Sequence, residues 1–337
     1  MGLLKFLKKT DNGKSKDFTR IFFITDVHGS EVTFGKLLNC APIYQAERLI
    51  LGGDITGKLL IPIITAADGS RRVTLHERRI DIQTDEELDS IISSLKLLGY
   101  YYVYMTEEEF LHIQKDRKQI DKIFLEHQKE RLIKWINLVD QKFKDTDTKL
   151  FITGGNDDDS DVLEVFDVYK SEHVIPCENN HVKLDDIHTM VSLGVSNRTP
   201  WNTPREYDEE TIAEKIEEAV KGIEDFSNVV FNFHVPPYDS TLDSCPELDT
   251  STDPPTPITR GGQLVFKPVG STAVMDAIKK YQPLLVLCGH IHEARGLIKI
   301  GRSVVINPGS EYGEGILRGI IVNIGDGKVV SWQFTTG

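Results

Sequence analysis

Residues 20–29 read RIFFITDVHG, an apolar, β-branched run that stops at Asp26 and His28. The run has the length and composition of a buried strand. In an open α/β sheet, ligands bind just outside the carboxyl ends of the strands, so an acid and an imidazole at that point are candidate site residues. The pattern recurs along the chain. RLIL (48–51) runs into Gly52-Gly53-Asp54, and KLFIT (149–153) runs into Gly154-Gly155-Asn156-Asp157-Asp158. VVFNF (229–233) ends at His234, and LLVLC (284–288) ends at Gly289-His290-Ile291-His292. Any one of these is weak, because a lone His at a strand end is usually hydrogen-bonded structure and GGD is usually a turn. Five in register with strand ends point to one cluster.

Helical stretches separate the earlier strands, at Val32–Asn39, Glu209–Ile223 and Ser271–Tyr281. Strands alternating with helices predict an α/β layer structure. TMVSLGV (189–195) adds a further strand, and Ser303–Asn307, Gly319–Ile324 and Val329–Phe334 form a closing set. The organisation expected is an N-terminal arm over 1–19 and one domain over 20–337, with an inserted cap subdomain at about 58–110. Within the insertion, Leu59–Ala66 and Arg71–His76 flank Asp68-Gly69, a hairpin signal, and a helical stretch covers about 84–98. Thr106 and Glu109 form a capping box that opens a charged helix towards Asp140. That helix packs on the core or enters a coiled coil. Residues 239–262 hold four prolines and read as a long loop, either a lid or a surface excursion.

The 337 residues carry a net charge of −13, with 39% hydrophobic and 27% charged residues, ordinary for a globular chain. The acidic balance argues against a nucleic-acid partner, which wants a basic face, but not against a small phosphoester, because bound metal reverses the local sign. Cys40, Cys177, Cys245 and Cys288 are scattered and form no CxxC pair, which reads as reduced thiols in a cytoplasmic protein. No apolar run reaches the ~18 residues of a membrane span, and membrane association is not expected. Gly2 alone does not make a myristoylation signal, because position 6 is Phe.

The candidate ligands are Asp26, His28, Asp54, Asn156, His234, His290 and His292. Imidazole nitrogens with carboxylate and amide oxygens suit divalent Mn, Fe, Zn or Ni rather than Ca or Mg, and the lack of thiolates argues against structural zinc. Two carboxylates against two dications leave a surplus of about +2 that can hold phosphate and hydroxide.

The order DxH, GGD, GN, H, GHxH, together with His234-Val235-Pro236-Pro237 and Asn307-Pro308-Gly309-Ser310, resembles the calcineurin-like metallophosphoesterases, in their prokaryotic-type branch. The resemblance covers roughly residues 20–57 and 146–336. It implies a four-layer α-β-β-α sandwich of two mixed sheets. It implies two metal ions, Mn foremost, one on Asp26, His28 and His292 and the other on Asn156, His234 and His290, with Asp54 bridging. The implied activity is hydrolysis of a phosphate mono- or diester by metal-bound hydroxide. A non-catalytic scaffold that retains the fold is the alternative, and a nuclease is disfavoured by the acidic balance. One position departs from the pattern: Asp157 stands where the family carries a His that contacts phosphate and protonates the leaving group. Asp157 then repels substrate, acts as the acid when protonated, or points away. Asp158 either orients a neighbouring His ligand or is an inert acid. Arg295 and Arg198 are candidate substrate contacts, with a surface ion pair or plain loop position as the other reading.

Overall fold

Two six-stranded mixed sheets, the first antiparallel at one rim and the second at both, carry the five motifs. The computed structural model describes residues 18–337 except Asp253. Most of the N-terminal arm, with Gly2, lies outside the described residues. The first sheet runs in the order Lys328–Thr336, Arg318–Gly325, Thr19–Ile24, Arg48–Gly52, Lys149–Thr153, Val174–Pro176. Its last four strands are mutually parallel, so the Asp26, Asp54 and Asn156 motifs leave from the same edge. The second sheet runs Gly296–Ile300, Ser303–Asn307, Leu285–Leu287, Val229–Phe233, Thr189–Leu193, His181–Lys183. Its middle strands are parallel too, which sets His234 beside the Gly289–His292 loop.

The near-continuous apolar runs are explained by burial on both faces. Alternate side chains of one strand enter different clusters, because successive residues point to opposite faces. Ile21 and Phe23 join Ile50 and Phe151 from their own sheet and Val230, Leu285 and Ile306 from the other. Phe22 and Ile24 point the opposite way, onto Phe34 and Leu37 of the helix Glu31–Tyr44 and Trp135 of the helix Arg117–Phe143. Phe34 and Trp135 stack with ring centroids 3.9 Å apart. In the second sheet, Phe231, Phe233 and Val286 pack on Ile212 and Ile216 of Glu209–Ala219 and on Val274 and Ile278 of Thr272–Tyr281.

The segment after Asp54 builds a sheet of its own, ordered Arg78–Ile82, Arg71–Leu75, Leu60–Thr65, Tyr101–Thr106. The helix Asp85–Leu98 packs on it around Ile63, Val73 and Leu95. The hairpin at Asp68-Gly69 and the capping box of Thr106 and Glu109 are both present. The charged helix expected to follow is two helices. Glu107–Ile113 stops, and Asp116 caps Arg117–Phe143 afresh by accepting from the Gln119 amide. The second helix packs on the core through Leu132, Trp135, Ile136, Val139 and Phe143. The long loop expected at 239–262 is also corrected. It folds into short antiparallel ladders, Ser244–Pro246 with Phe266–Pro268, Leu248–Asp249 with Thr256–Pro257, and Thr259–Arg260 with Gln263–Leu264. Among the described residues no helix is long and apolar enough to cross a membrane.

The insertion is wedged against the first motif. Arg131 donates to the carbonyl of Gly29 at 2.8 Å and to that of Tyr100 at 3.1 Å, with its guanidinium over the Tyr101 ring. Gly99 ends the insertion's helix at φ 78°, and a Cβ there would lie 1.8 Å from the carbonyl oxygen of His28. Neither the φ nor the space admits a side chain. Gly99→Ala is therefore expected to destabilise the fold by more than about 1 kcal/mol and to weaken metal retention through the His28 loop. Urea denaturation together with metal analysis of the variant checks both.

Candidate metal centre

Each motif residue sits just beyond the end of its strand. The Asp26 amide donates to the Gly53 carbonyl at 3.0 Å and the His28 amide to the Asp54 carbonyl at 2.9 Å, so the first two loops continue the pairing of their strands. Four of the seven candidate ligands lie in the left-handed region: Asp26 (φ 55°), His28 (41°), Asp54 (47°) and His290 (66°). Such backbone costs roughly 1–3 kcal/mol per residue and persists where surrounding contacts enforce it. Those contacts are visible. The Asp26 carboxylate accepts the His290 amide at 3.0 and 3.1 Å, and Ser310 Oγ donates to the Asp26 carbonyl at 2.7 Å. Asn307 Nδ2 donates to the carbonyls of Gly289 and Ile291, which explains the Asn-Pro-Gly-Ser run as a clamp on the last ligand loop. A Cβ on Gly155 would fall 2.0 Å from Asp54 Oδ1, so only glycine lets the third loop pass beside the second.

The structure gathers six of the seven predicted ligands into two groups, and the seventh, Asn156, lines the same cavity as Asp54, His290 and His292. Asp26, His28 and His292 form one group able to hold a metal ion, and Asp54, His234 and His290 form another. Asp54 Oδ2 lies between them, 3.3 Å from His234 Nε2 and 3.7 Å from His28 Nε2. His292 Nε2 is 3.4 Å from Asp26 Oδ1 and 3.1 Å from His28 Nε2. Buried His28 Nδ1, Asn156 Oδ1 and His234 Nε2 have no hydrogen-bond partner. A buried acceptor left unpaired costs about 1–3 kcal/mol, and an orphaned amide oxygen and imidazole nitrogens are metal-ligand atoms. The residues present therefore fit divalent metal.

Electrostatics in the absence of metal reflect crowding. Burial pushes the Asp54 carboxyl up, but the charge of His234, with that of His28 behind it, outweighs burial and holds it well below the carboxylate range. The same opposition acts on Asp26, where His292 and His234 prevail over burial. Burial alone would lower His234, yet Asp54 and Asp26 raise it to about 9. His290 falls to about 4, first through burial and then through the charge of His234.

Three expectations change at the rim of the site. Asp158 orients no histidine. Its carboxylate accepts from the amides of Ile55 (2.9 Å), Thr56 (2.8 Å) and Gly155 (2.7 Å) and from Thr56 Oγ1 (2.6 Å), which staples the second loop to the third. Arg295, in the loop just before the strand Gly296–Ile300, turns away to Thr335 and Thr336 and lies over the Phe334 ring at the edge of the first sheet. Asp157 is engaged by Lys58, whose Nζ lies 2.5 Å from Oδ2. Burial, then the charge of Asp54, raises the Asp157 carboxyl to about 6, with Lys58 opposing. Arg198 does face the site, lining a cavity with Asp54, Asn156, His290 and His292. Of the insertion, only Lys58 reaches that cavity, whereas the 244–269 ribbons line it extensively. Sequence reading missed Lys58 and also Tyr312, whose ring is 4.6 Å from the His28 ring.

No protein-family model matches the chain. It is 31% identical over 156 residues to an uncharacterised protein, MJ1162, of Methanocaldococcus jannaschii. That match covers 46% of this chain and 61% of the relative, so the chain spans about three-fifths of the length of the curated relative it matches. Among solved structures, one crystal structure is similar at TM-score 0.58 and 16% identity, covering 95% of this chain and 98% of that one. TT1561 of Thermus thermophilus is similar at TM-score 0.50 and 14% identity, with the same coverage. These likenesses show a shared α/β fold.

Metal entry must displace a proton from His234 wherever the pH is below about 9. The sign follows: the raised imidazole favours the metal-free protein at low pH, and that advantage fades as pH rises through its folded value. Apparent Mn affinity is expected to rise about tenfold per pH unit for each proton displaced between pH 6 and 8. Titration calorimetry in buffers of different ionisation enthalpy checks the proton count.

Proposed function

We propose that this chain is a dinuclear-metal-dependent phosphoesterase of the calcineurin-like kind. The observation that carries the reading is the convergence of two ligand groups beside Asp54, with Asn156 Oδ1 and His234 Nε2 buried and unpaired. Asp26, His28 and His292 would hold one ion, Asn156, His234 and His290 the other, and Asp54 both. Mn is the first choice, with Fe, Zn and Ni suited to the same donors. Bound there, the ions would supply Lewis acidity and a water of lowered pKa for attack on a phosphoryl group. The clusters on each side of the two sheets support a helix-sheet-sheet-helix layering for the domain. The insertion is then a buttress for the His28 loop rather than a lid.

The protein's own groups have separate tasks. Asp158 and Asn307 fix the ligand loops. Asp157, paired with Lys58, anchors that lysine at the cavity wall. Lys58 brings the positive charge that the missing third-motif histidine would have supplied, and meets a phosphoryl oxygen or the departing ester oxygen at the cavity wall.

Purified protein is expected to bind Mn and hydrolyse bis(p-nitrophenyl) phosphate. Asp54→Asn and His290→Ala should each lose at least about a hundredfold in metal affinity or activity, since even residues that only support ligands cost 10–100-fold. Full metal content with full activity in either variant would sink the reading. Lys58→Ala is expected to lower kcat about 10–100-fold, most for esters with poor leaving groups, and Lys58→Arg to recover part of it. A leaving-group series on the three proteins measures this, and equal losses across the series would remove Lys58 from the chemistry.

A further inference from the structure

The cavity over the metal centre is much larger than a phosphoryl group requires. It measures about 840 Å³, within the ~300–1,000 Å³ of sites that enclose drug-sized ligands. Its floor is the ligand set. Its outer walls are chain segments that hold no ligand: the 198–203 loop on one side and the 244–269 ribbons on the other.

The 198–203 loop is built rather than loose. The Glu206 carboxylate accepts from the amides of Thr199 (2.9 Å) and Thr203 (3.0 Å) and from both threonine hydroxyls. Thr203 Oγ1 in turn accepts from Asn156 Nδ2 at 2.8 Å. Asn197 Nδ2 donates across to the carbonyls of Val269 and Gly270, which joins the two walls. At the apex of this braced loop stands Trp201, 56% exposed and lining the cavity. The ribbons add Pro246, Leu248, Pro257 and Val269 to the same lining. A large indole held open on a fixed loop is poor surface chemistry for a free chain and good chemistry for stacking a flat ring.

We propose that the cavity takes a phosphodiester whose retained alcohol carries a planar aromatic group, with Trp201 as the stacking surface. The proposal rests on the phosphoesterase reading and names its substrate class. Arg198, Lys267, Thr199 and Thr250 set polar groups into a mainly apolar lining. Such a lining suits a flat ring with polar edges.

Three esters with one leaving group isolate the retained group: methyl, hexyl and thymidine 5′-(p-nitrophenyl phosphate). In wild type with Mn, kcat/KM is expected to be at least about tenfold higher for the thymidine ester than for the methyl ester, the size of one base–aromatic stack, mainly through KM. The hexyl ester should gain much less. In Trp201→Ala the thymidine-to-methyl ratio should fall to near one, in Trp201→Phe it should be partly kept, and in Trp332→Ala, a surface tryptophan on another edge, it should be unchanged. A ratio near one in wild type, a hexyl ester as good as the thymidine ester, or a ratio retained in Trp201→Ala would overturn the proposal. Hydrolysis of none of the esters would instead overturn the phosphoesterase reading. Thymidine 5′-monophosphate titrated against tryptophan fluorescence then decides the proposal separately: quenching lost in Trp201→Phe supports it, and no quenching in wild type refutes it.

Discussion

Two buried carboxylates, Asp26 and Asp54, must be satisfied by imidazoles drawn from separate loops, and most of the molecule exists to make that possible. Unpaired charge at such depth would cost several kcal/mol. The histidines arrive from three strand ends in two sheets, so the sheets must stack with their carboxyl edges aligned. Ile21, Phe23, Val230 and Leu285 in the shared cluster set that alignment. The loops then spend backbone strain at four ligand positions, recovered through the staple of Asp158 and the clamp of Asn307.

The fold was legible where burial leaves a mark on sequence. Lys149–Thr153, Val229–Phe233 and Ser303–Asn307 are strands over the residues their apolar runs mark out. Of the four rim strands, Lys328–Thr336 was legible over Val329–Phe334, whereas Val174–Pro176, His181–Lys183 and Gly296–Ile300 were not legible. His181–Lys183 is short and largely exposed, and its pairing with Thr189–Val191 is decided by the neighbour, not by its own residues. The two-residue ladders inside 244–264 are too short to carry a period of two. The break at 114–116 was hidden because charged residues run through it without a glycine or proline.

For the site, residue type at strand ends was enough to collect the ligands, since a parallel sheet aligns those ends. Side-chain direction was not readable. Arg295 is three residues past His292 in sequence, yet its guanidinium is taken by Thr335, Thr336 and the Phe334 ring of a strand far along the chain. Asp158 looked like a partner for a histidine, but its donors are the Gly155 amide beside it and the Ile55 and Thr56 groups of a loop a hundred residues earlier. Lys58 reaches Asp157 only because the Asp54 and Asn156 loops lie side by side, and no spacing rule announces that.

The bond from Asn156 to Thr203 has one more consequence. The Thr203 hydroxyl already gives its single hydrogen to Glu206, so it can only accept from position 156. The amide nitrogen must therefore face outward and the amide oxygen inward, to the unpaired position among the ligands. A carboxylate there would set oxygen against oxygen. The threonine thus dictates an amide over an acid at this point in the chain, which keeps the formal charge of the ligand set at two negatives and leaves any bound dication pair electropositive.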